Sequence, residues 1–234
     1  LGLLLEACMG AGASTMVSTG LYQQVFTLAD DLPSHTIQHG IPNADGTINP
    51  VTWKGCVVSG FEIGGAVGDI GTLKSTWDVR DWDTSVAYAT PSYPSGGQLF
   101  TVEKATIFTG ALTAPTTTAL ATMPTPVAGV KDFKLAVSNQ VVADRHFAGA
   151  SGLKAKPKPG TRQPTLEMSV EYGANDLRDA YLGQVPLGML IHLSAGADQI
   201  QLVLPEIKLS GDLPEGGPDA IASQAIKADV LDNL

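Results

Sequence analysis

Residues able to do chemistry are few in this chain and do not converge. His35 and His39 lie in a Pro-flanked segment expected to be extended, so they share a face at a spacing longer than a one-turn helical pair, and no nearby Cys or carboxylate completes a zinc shell. His146 and His192 are isolated, and a lone histidine on a strand is far more often a surface or hydrogen-bonded residue than a catalytic base. Asp78, Asp81 and Asp83 invite comparison with a calcium site or a glycosidase pair, because both chemistries need carboxylates converging on one cation or one glycosidic bond. On a single strand Asp78 faces opposite to Asp81 and Asp83, so the cluster reads instead as a polar face with Arg80 and Lys74 as partners. No Gly-x-Ser-x-Gly elbow, P-loop or dinucleotide fingerprint occurs. The chain is therefore expected to have no catalytic residue, no metal site and no cofactor, and not to be an enzyme.

The most unusual charge feature is a basic run. Arg145, Lys154, Lys156, Lys158 and Arg162 fall in a Gly- and Pro-containing stretch without a single acidic residue, on a chain whose 14 basic and 23 acidic side chains give a net charge of −9. A solvated loop is one explanation. The other is a contact between copies, in which this loop meets an acidic face on a neighbouring copy, such as one displaying Asp212, Glu215 and Asp219, since complementary charge sets orientation and register.

Composition points to the elements that would carry these residues. Only 16% of the chain is charged, while 26 Gly, 15 Pro and many Thr and Ser residues punctuate short apolar runs, which suits an all-β fold with many turns. A length of 234 residues can bury a substantial core, and no break in composition argues for a second domain. Net acidity disfavours sequence-independent binding to nucleic acid by counterion release. Cys8 and Cys56 do not make a disulfide framework, no basic segment precedes Leu1, and Leu1 to Leu5 is too short to span a bilayer. These features lead to the expectation of a chain made in the cytoplasm, with no membrane insertion. Opening on Leu rather than Met suggests a processed or truncated start.

Residues 1–20 are small and apolar, then polar, and are expected to form a short helix followed by a flexible N-terminal arm that is ordered only if it docks; 21–234 is expected to form one domain. Strands are predicted from Tyr22 to Leu28, Thr36 to His39, Thr52 to Ile63, Leu73 to Asp81 and Val102 to Thr109, with Pro33, Pro42 and Pro50 between runs. Long loops are expected at about 111–129 and 145–164. Phe133, Leu135 and Val137, then Leu166, Met168, Val170 and Tyr172 alternate with polar or small residues and mark one-sided strands, and Leu187, Met189, Ile191 and Leu193 mark another. Ile200, Leu202 and Leu204 keep one parity, and Ile207 and Leu209 beyond Pro205 take the other, which predicts a bulge. Asn175 to Leu182 carries Leu177, Ala180 and Tyr181 at helical spacing with Gly183 as the expected C-cap. From Ala220 to Leu234, local propensity favours helix.

The most informative stretch is Gly55 to Asp83, GCVVSGFEIGGAVGDIGTLKSTWDVRDWD, read as two strands joined by a Gly-rich turn. Its second strand sets Leu73, Trp77 and Val79 on one face and Lys74, Thr76, Asp78 and Arg80 on the other. This block, the preceding FTLADDLPSHTIQHG and the following SYPSGGQLF resemble the tail tube proteins of long-tailed bacteriophages. The residues alone indicate an all-β sandwich or partly open barrel of roughly a dozen strands, with one short flanking helix and long loops.

The resemblance implies the rest. It favours an extended C-terminus. It implies a structural virion protein whose hairpins join those of other copies into one closed β-barrel around a lumen, in homo-hexameric rings stacked head to tail. The stack would form the tail tube that delivers the genome, made in the host bacterial cytoplasm and ending in the virion tail. Implied partners are the protein itself, a tape measure protein, a tail terminator and tail tip proteins, with DNA passing through without specific binding. If the Gly55 to Asp83 hairpin lines the lumen, Lys74, Thr76, Asp78 and Arg80 present it with a mixed face rather than an acidic one. The alternative class is a carbohydrate- or host-receptor-binding β-sandwich, against which three Trp and 6% aromatic residues weigh.

Overall fold

The N-terminus shows how tertiary contacts override weak local signals. In the computed structural model, which describes residues 1–93, 97–149, 153–173, 175–216 and 221–231, the chain opens as helix α1 (Gly2–Met9) and runs directly into β1 (Gly10–Ser18). β1 pairs antiparallel with β2 (Leu21–Leu28) as a separate two-stranded sheet. The short helix expected at the start is α1, and the stretch after it, expected as a flexible arm, is strand β1. α1 buries Ala7 and Cys8 in the main core, and the Phe26 ring of β2 lies against Gly2 and Gly12.

β3 (His35–Pro42) and β4 (Ile48–Ala66) form a long hairpin. β4, nineteen residues long, pairs over its first part with β3 and β6 (Asp81–Asp83), and over its second with β5 (Thr72–Asp78) and β9 (Val130–Ser138). Gly55, at φ +64°, and a register shift between Val58 and Gly60 bend it between these partnerships. The strand expected from Leu73 to Asp81 ends at Asp78, because the chain must step across Val79 and Arg80 to reach the other half of β4. Pro50 lies inside β4, not between runs, opposite Gly40, at a position where β4 has a neighbour on one side only, and Pro42 is the last residue of β3.

A 3-10 turn at Val102–Lys104 precedes β7 (Ala105–Thr109), where a strand was expected to start at Val102. Then follow β8 (Thr125–Val127), β9, β10 (Gln163–Glu171), α2 (Asp176–Gly183), β11 (Leu187–Ala195), β12 (Asp198–Gly211) and β13 (Ser223–Val230). The helix expected over Asn175 to Leu182 is α2, displaced by one residue. Gly183 is the last helical residue and Gln184, at φ 51°, takes the left-handed cap position expected of the glycine. The shift from Leu187↔Ile207 to Met189↔Leu204 is the bulge expected at Pro205, and β13 is extended, as the resemblance implied.

Across the large sheet the order is β3-β4-β9-β10-β13-β12-β11-β7-β8, with β5 and β6 added on β4, eleven strands paired antiparallel throughout. The sheet curls until its ends approach. Gly71 N–H donates to Phe100 O (2.7 Å) and Val102 N–H to Asp69 O (3.1 Å), tying the β4–β5 turn to the segment that enters β7. The result is an all-β, partly open barrel around one core in which Phe61, Phe133, Leu166, Ile191, Ile207 and Ile226 meet. Each such side chain contributes about 1.5–3 kcal/mol on burial. The expected loop over 111–129 is in part a strap. Ala121 and Met123 pack with Leu190 in a second small cluster on the outer side of β11, and Gln201 exchanges hydrogen bonds with both the N–H (2.9 Å) and C=O (3.0 Å) of Ala121.

Candidate functional site

The basic run lies along a seam between the β5–β6 corner and the β2–β3 connection, and most of its cations are engaged there. Lys154 Nζ donates to both carboxylate oxygens of Asp78 (2.7 and 3.0 Å), with both side chains about four-fifths buried. Arg80 Nε donates to Lys154 O (2.8 Å), Arg145 Nη1 donates to Lys156 O (2.5 Å), and Lys156 Nζ pairs with Asp31 (2.9 Å). Lys158 is exposed, and among the described residues no carboxylate lies within ion-pair distance of it. Arg162 leaves the seam for the interior. Its Nε donates to Asn139 Oδ1 (3.0 Å) and its Nη2 to Ala29 O, and burial pulls the guanidinium pKa down.

Asn139 is fully buried and uses its whole amide. Nδ2 donates to Cys8 O (3.3 Å) and Val58 O (3.0 Å), while Oδ1 accepts from Arg162. One side chain thereby joins the end of α1, the bend of β4, and, through Arg162, the end of β2. A buried polar group is retained at low cost only when all its bonds are made.

The structure joins two residue sets that the sequence kept apart. Asp78 and Arg80, assigned to a hairpin face, meet Lys154, assigned to the basic loop. Lys74 and Thr76 remain exposed on β5, opposite Glu62 and Gly60. Asp83 pairs not with Arg80 or Lys74 but with Lys54 (2.6 Å), whose hydrogen bond holds the Asp83 carboxyl well below the usual carboxylate range. Asp212 and Glu215 are exposed on the β12–β13 connection and share no ion pair with the basic loop among the described residues; Asp219 lies outside the described residues. Sequence reasoning missed Asn139 and Asp31 altogether. Their partners lie 23 to 131 positions away for Asn139 and 125 for Asp31, so no local signal marks them.

Among the described residues no group of His, Cys, Asp or Glu is placed to hold a metal ion; a hollow of about 370 Å³ lies beside Tyr181, Lys208 and Asp229, and one of about 150 Å³ beside Val102, Ile107 and Phe133. The remaining notable surface is sheet rather than cleft, including strands with unpaired edges. A family model described as phage tail tube protein matches residues 1–230. The chain belongs to that family. No curated protein matches it. A tail tube protein is a component of the virion tail that assembles with further tail proteins into a multimeric tube. The matched residues include the α1–β1–β2 unit that Asn139 and Arg162 fasten to the barrel.

Proposed function

We propose that this chain forms closed rings, six-fold by resemblance, which stack head to tail into the tube through which the phage genome passes, and that its role is structural rather than catalytic. Unpaired strand edges carry this reading. Among the described residues, β1 and β2 pair only with each other, and β3 and β5 pair only with β4. A two-stranded sheet is at best marginal alone, and exposed edges invite pairing with another chain. A ring that closes on itself satisfies them all, and an axial contact that does not close extends the ring into a filament.

Of Lys74, Thr76, Asp78 and Arg80, it is Lys74 and Thr76 that are left free to face a lumen, with Glu62 exposed opposite Lys74. Within the subunit Lys154 and Lys156 are already engaged, so the inter-ring contact of the basic loop falls to Lys158, against the Asp212, Glu215 and Asp219 rim of the next copy. The tape measure, terminator and tip proteins are the partners at the lumen and tube ends. DNA traverses a surface whose excess of acid does not hold it. Negative-stain electron microscopy of the purified chain, with solution mass and with purified tail tips as nuclei, tests this. Rings or stacked tubes with a central hole are expected; a monomer that persists even with tips present refutes the assembly.

A further inference from the structure

The β3–β4–β6 sheet has two faces of opposite character. On one, Gln38 bonds Thr52 Oγ1 (3.0 Å), Ala87 O (3.0 Å) and Ala89 N (2.7 Å), Tyr88 lies over Gly40, and Lys54 pairs with Asp83, so the chain's own 84–89 segment covers it. Register places Ile37, His39 and Ile41 of β3, Val51 and Trp53 of β4, and Trp82 of β6 together on the other. Ile37, Val51 and Trp53 are half-buried, whereas His39 and Ile41 are exposed and Trp82 is 65% exposed directly opposite Trp53. His39 stacks on Trp53 with ring centroids 5.9 Å apart.

We infer that this face docks on a second copy of the same chain, an assignment that rests on the tube reading above. Three observations select that occupant. The face has no carboxylate, ammonium or guanidinium at any of its register positions, Asn49 included, and copies that each carry −9 repel least where both surfaces are uncharged. It is rich in Trp and aliphatic side chains, the composition of an interface centre and not of ordinary surface. It also borders the unpaired edge of β3, so a copy that adds to that edge lies beside Ile37, His39 and Ile41.

The test uses full-length protein and two exposed positions, Trp82→Ala and Ile41→Asp, either of which suffices if the other fails to fold. Both variants are expected to keep the monomer's circular dichroism and melting temperature, and to raise the concentration needed for tubes by at least about tenfold. Wild-type tryptophan emission is expected to shift to the blue on assembly, with loss of acrylamide quenching, and Trp82→Ala to remove most of that change. Wild-type tubes matched by equally assembled Trp82→Ala and Ile41→Asp tubes overturn the inference and leave the tube reading intact. A wild-type chain that never assembles overturns both. Saturable binding of an oligosaccharide that Trp82→Ala abolishes, with assembly unchanged, gives the face to a sugar and overturns the second copy.

Discussion

Replacing Asn139 with Ala removes a buried side chain that, with Arg162, holds the N-terminal unit to the barrel. Two amide-to-carbonyl hydrogen bonds, to Cys8 O and Val58 O, are lost together with the bond from the Arg162 guanidinium. The neutral bonds contribute about 1 kcal/mol each and the charge-assisted one about 1.5–3, so the variant loses about 3–5 kcal/mol. For a domain of this size each kcal/mol lowers Tm by about 2–4 °C, and the expected fall is about 6–20 °C by calorimetry on the unassembled protein. Asn139 N–H still donates to Ser59 O (2.9 Å), so the β4 bend itself is kept. Loosening is therefore expected to begin in α1 and β2. By amide hydrogen exchange the Ala29 N–H, which donates to Met9 O (2.9 Å), and the Leu5 N–H of α1 lose protection before the amides of β10 and β11. Lys158→Ala, at an exposed position, serves as the control. An Asn139→Ala protein that melts within about 2 °C of wild type, with α1 exchange unchanged, refutes the account of Asn139 as the joint.

Four further outcomes follow from the geometry. Asp78→Ala releases Lys154, and since Lys156 and Lys158 are each followed by Pro, limited trypsin digestion is expected to cut after Lys154 at least about tenfold faster than in wild type. Gly64→Ala puts a Cβ 2.2 Å from Phe133 O and 2.8 Å from Lys134 Cα, both backbone atoms of the paired strand, and is expected to cost about 3 kcal/mol in denaturant unfolding. Asp31, Asp83 and Glu167 are each held below the usual carboxylate range, chiefly by hydrogen bonds from Lys156, Lys54 and Lys134. Lowered folded pKa values add stability that is present above the ordinary carboxylate pKa and lost in acid, so their contribution to urea stability is expected to be constant down to about pH 5, to fall below about pH 4, and to shrink in about 1 M salt. Burial pushes the Cys8 thiol up to about 11 and raises that of Cys56, so neither is expected to react with a thiol reagent at neutral pH until the chain is unfolded.

What was legible in the sequence was period, and what was not was distance. β9 and β10 alternate because one face is core and the other is not, whereas β11 is also buried at Leu190 beneath Ala121 and Met123, and the change of parity at Pro205 survives into the structure as a bulge with Leu204 and Ile207 both buried. The C-terminal strand carries helix-forming residues, yet Gln224, Ile226 and Ala228 fall at period two, and pairing with β10 and β12 decides the outcome. β1 has no such pattern: its Gly, Ala, Ser and Thr residues have little preference of their own, and it becomes a strand only because β2 lies beside it and α1 is anchored in the core. The candidate site was legible as composition only. A run of cations without acids was visible, but its partners Asp31 and Asp78 are brought to it by topology across 125 and 76 positions.

That pairing changes what the basic loop means for a conduit. On an acidic chain a cationic loop suggests a surface reserved for a partner or for DNA. Here Lys154, Lys156, Lys54, Lys134, Lys227 and Arg178 are matched to carboxylates of the same chain, and Arg80, Arg145 and Arg162 point their donors at backbone carbonyls. Apart from the largely buried Lys154–Asp78 pair, these ion pairs are exposed, and such pairs add little stability individually. Their larger effect is on the field around the subunit, because a cation held against a carboxylate is poorly placed to condense on a phosphate. A tube built from such subunits offers a passing polyanion few free positive charges, and most of the basic loop acts as the strap that closes the seam beside β5.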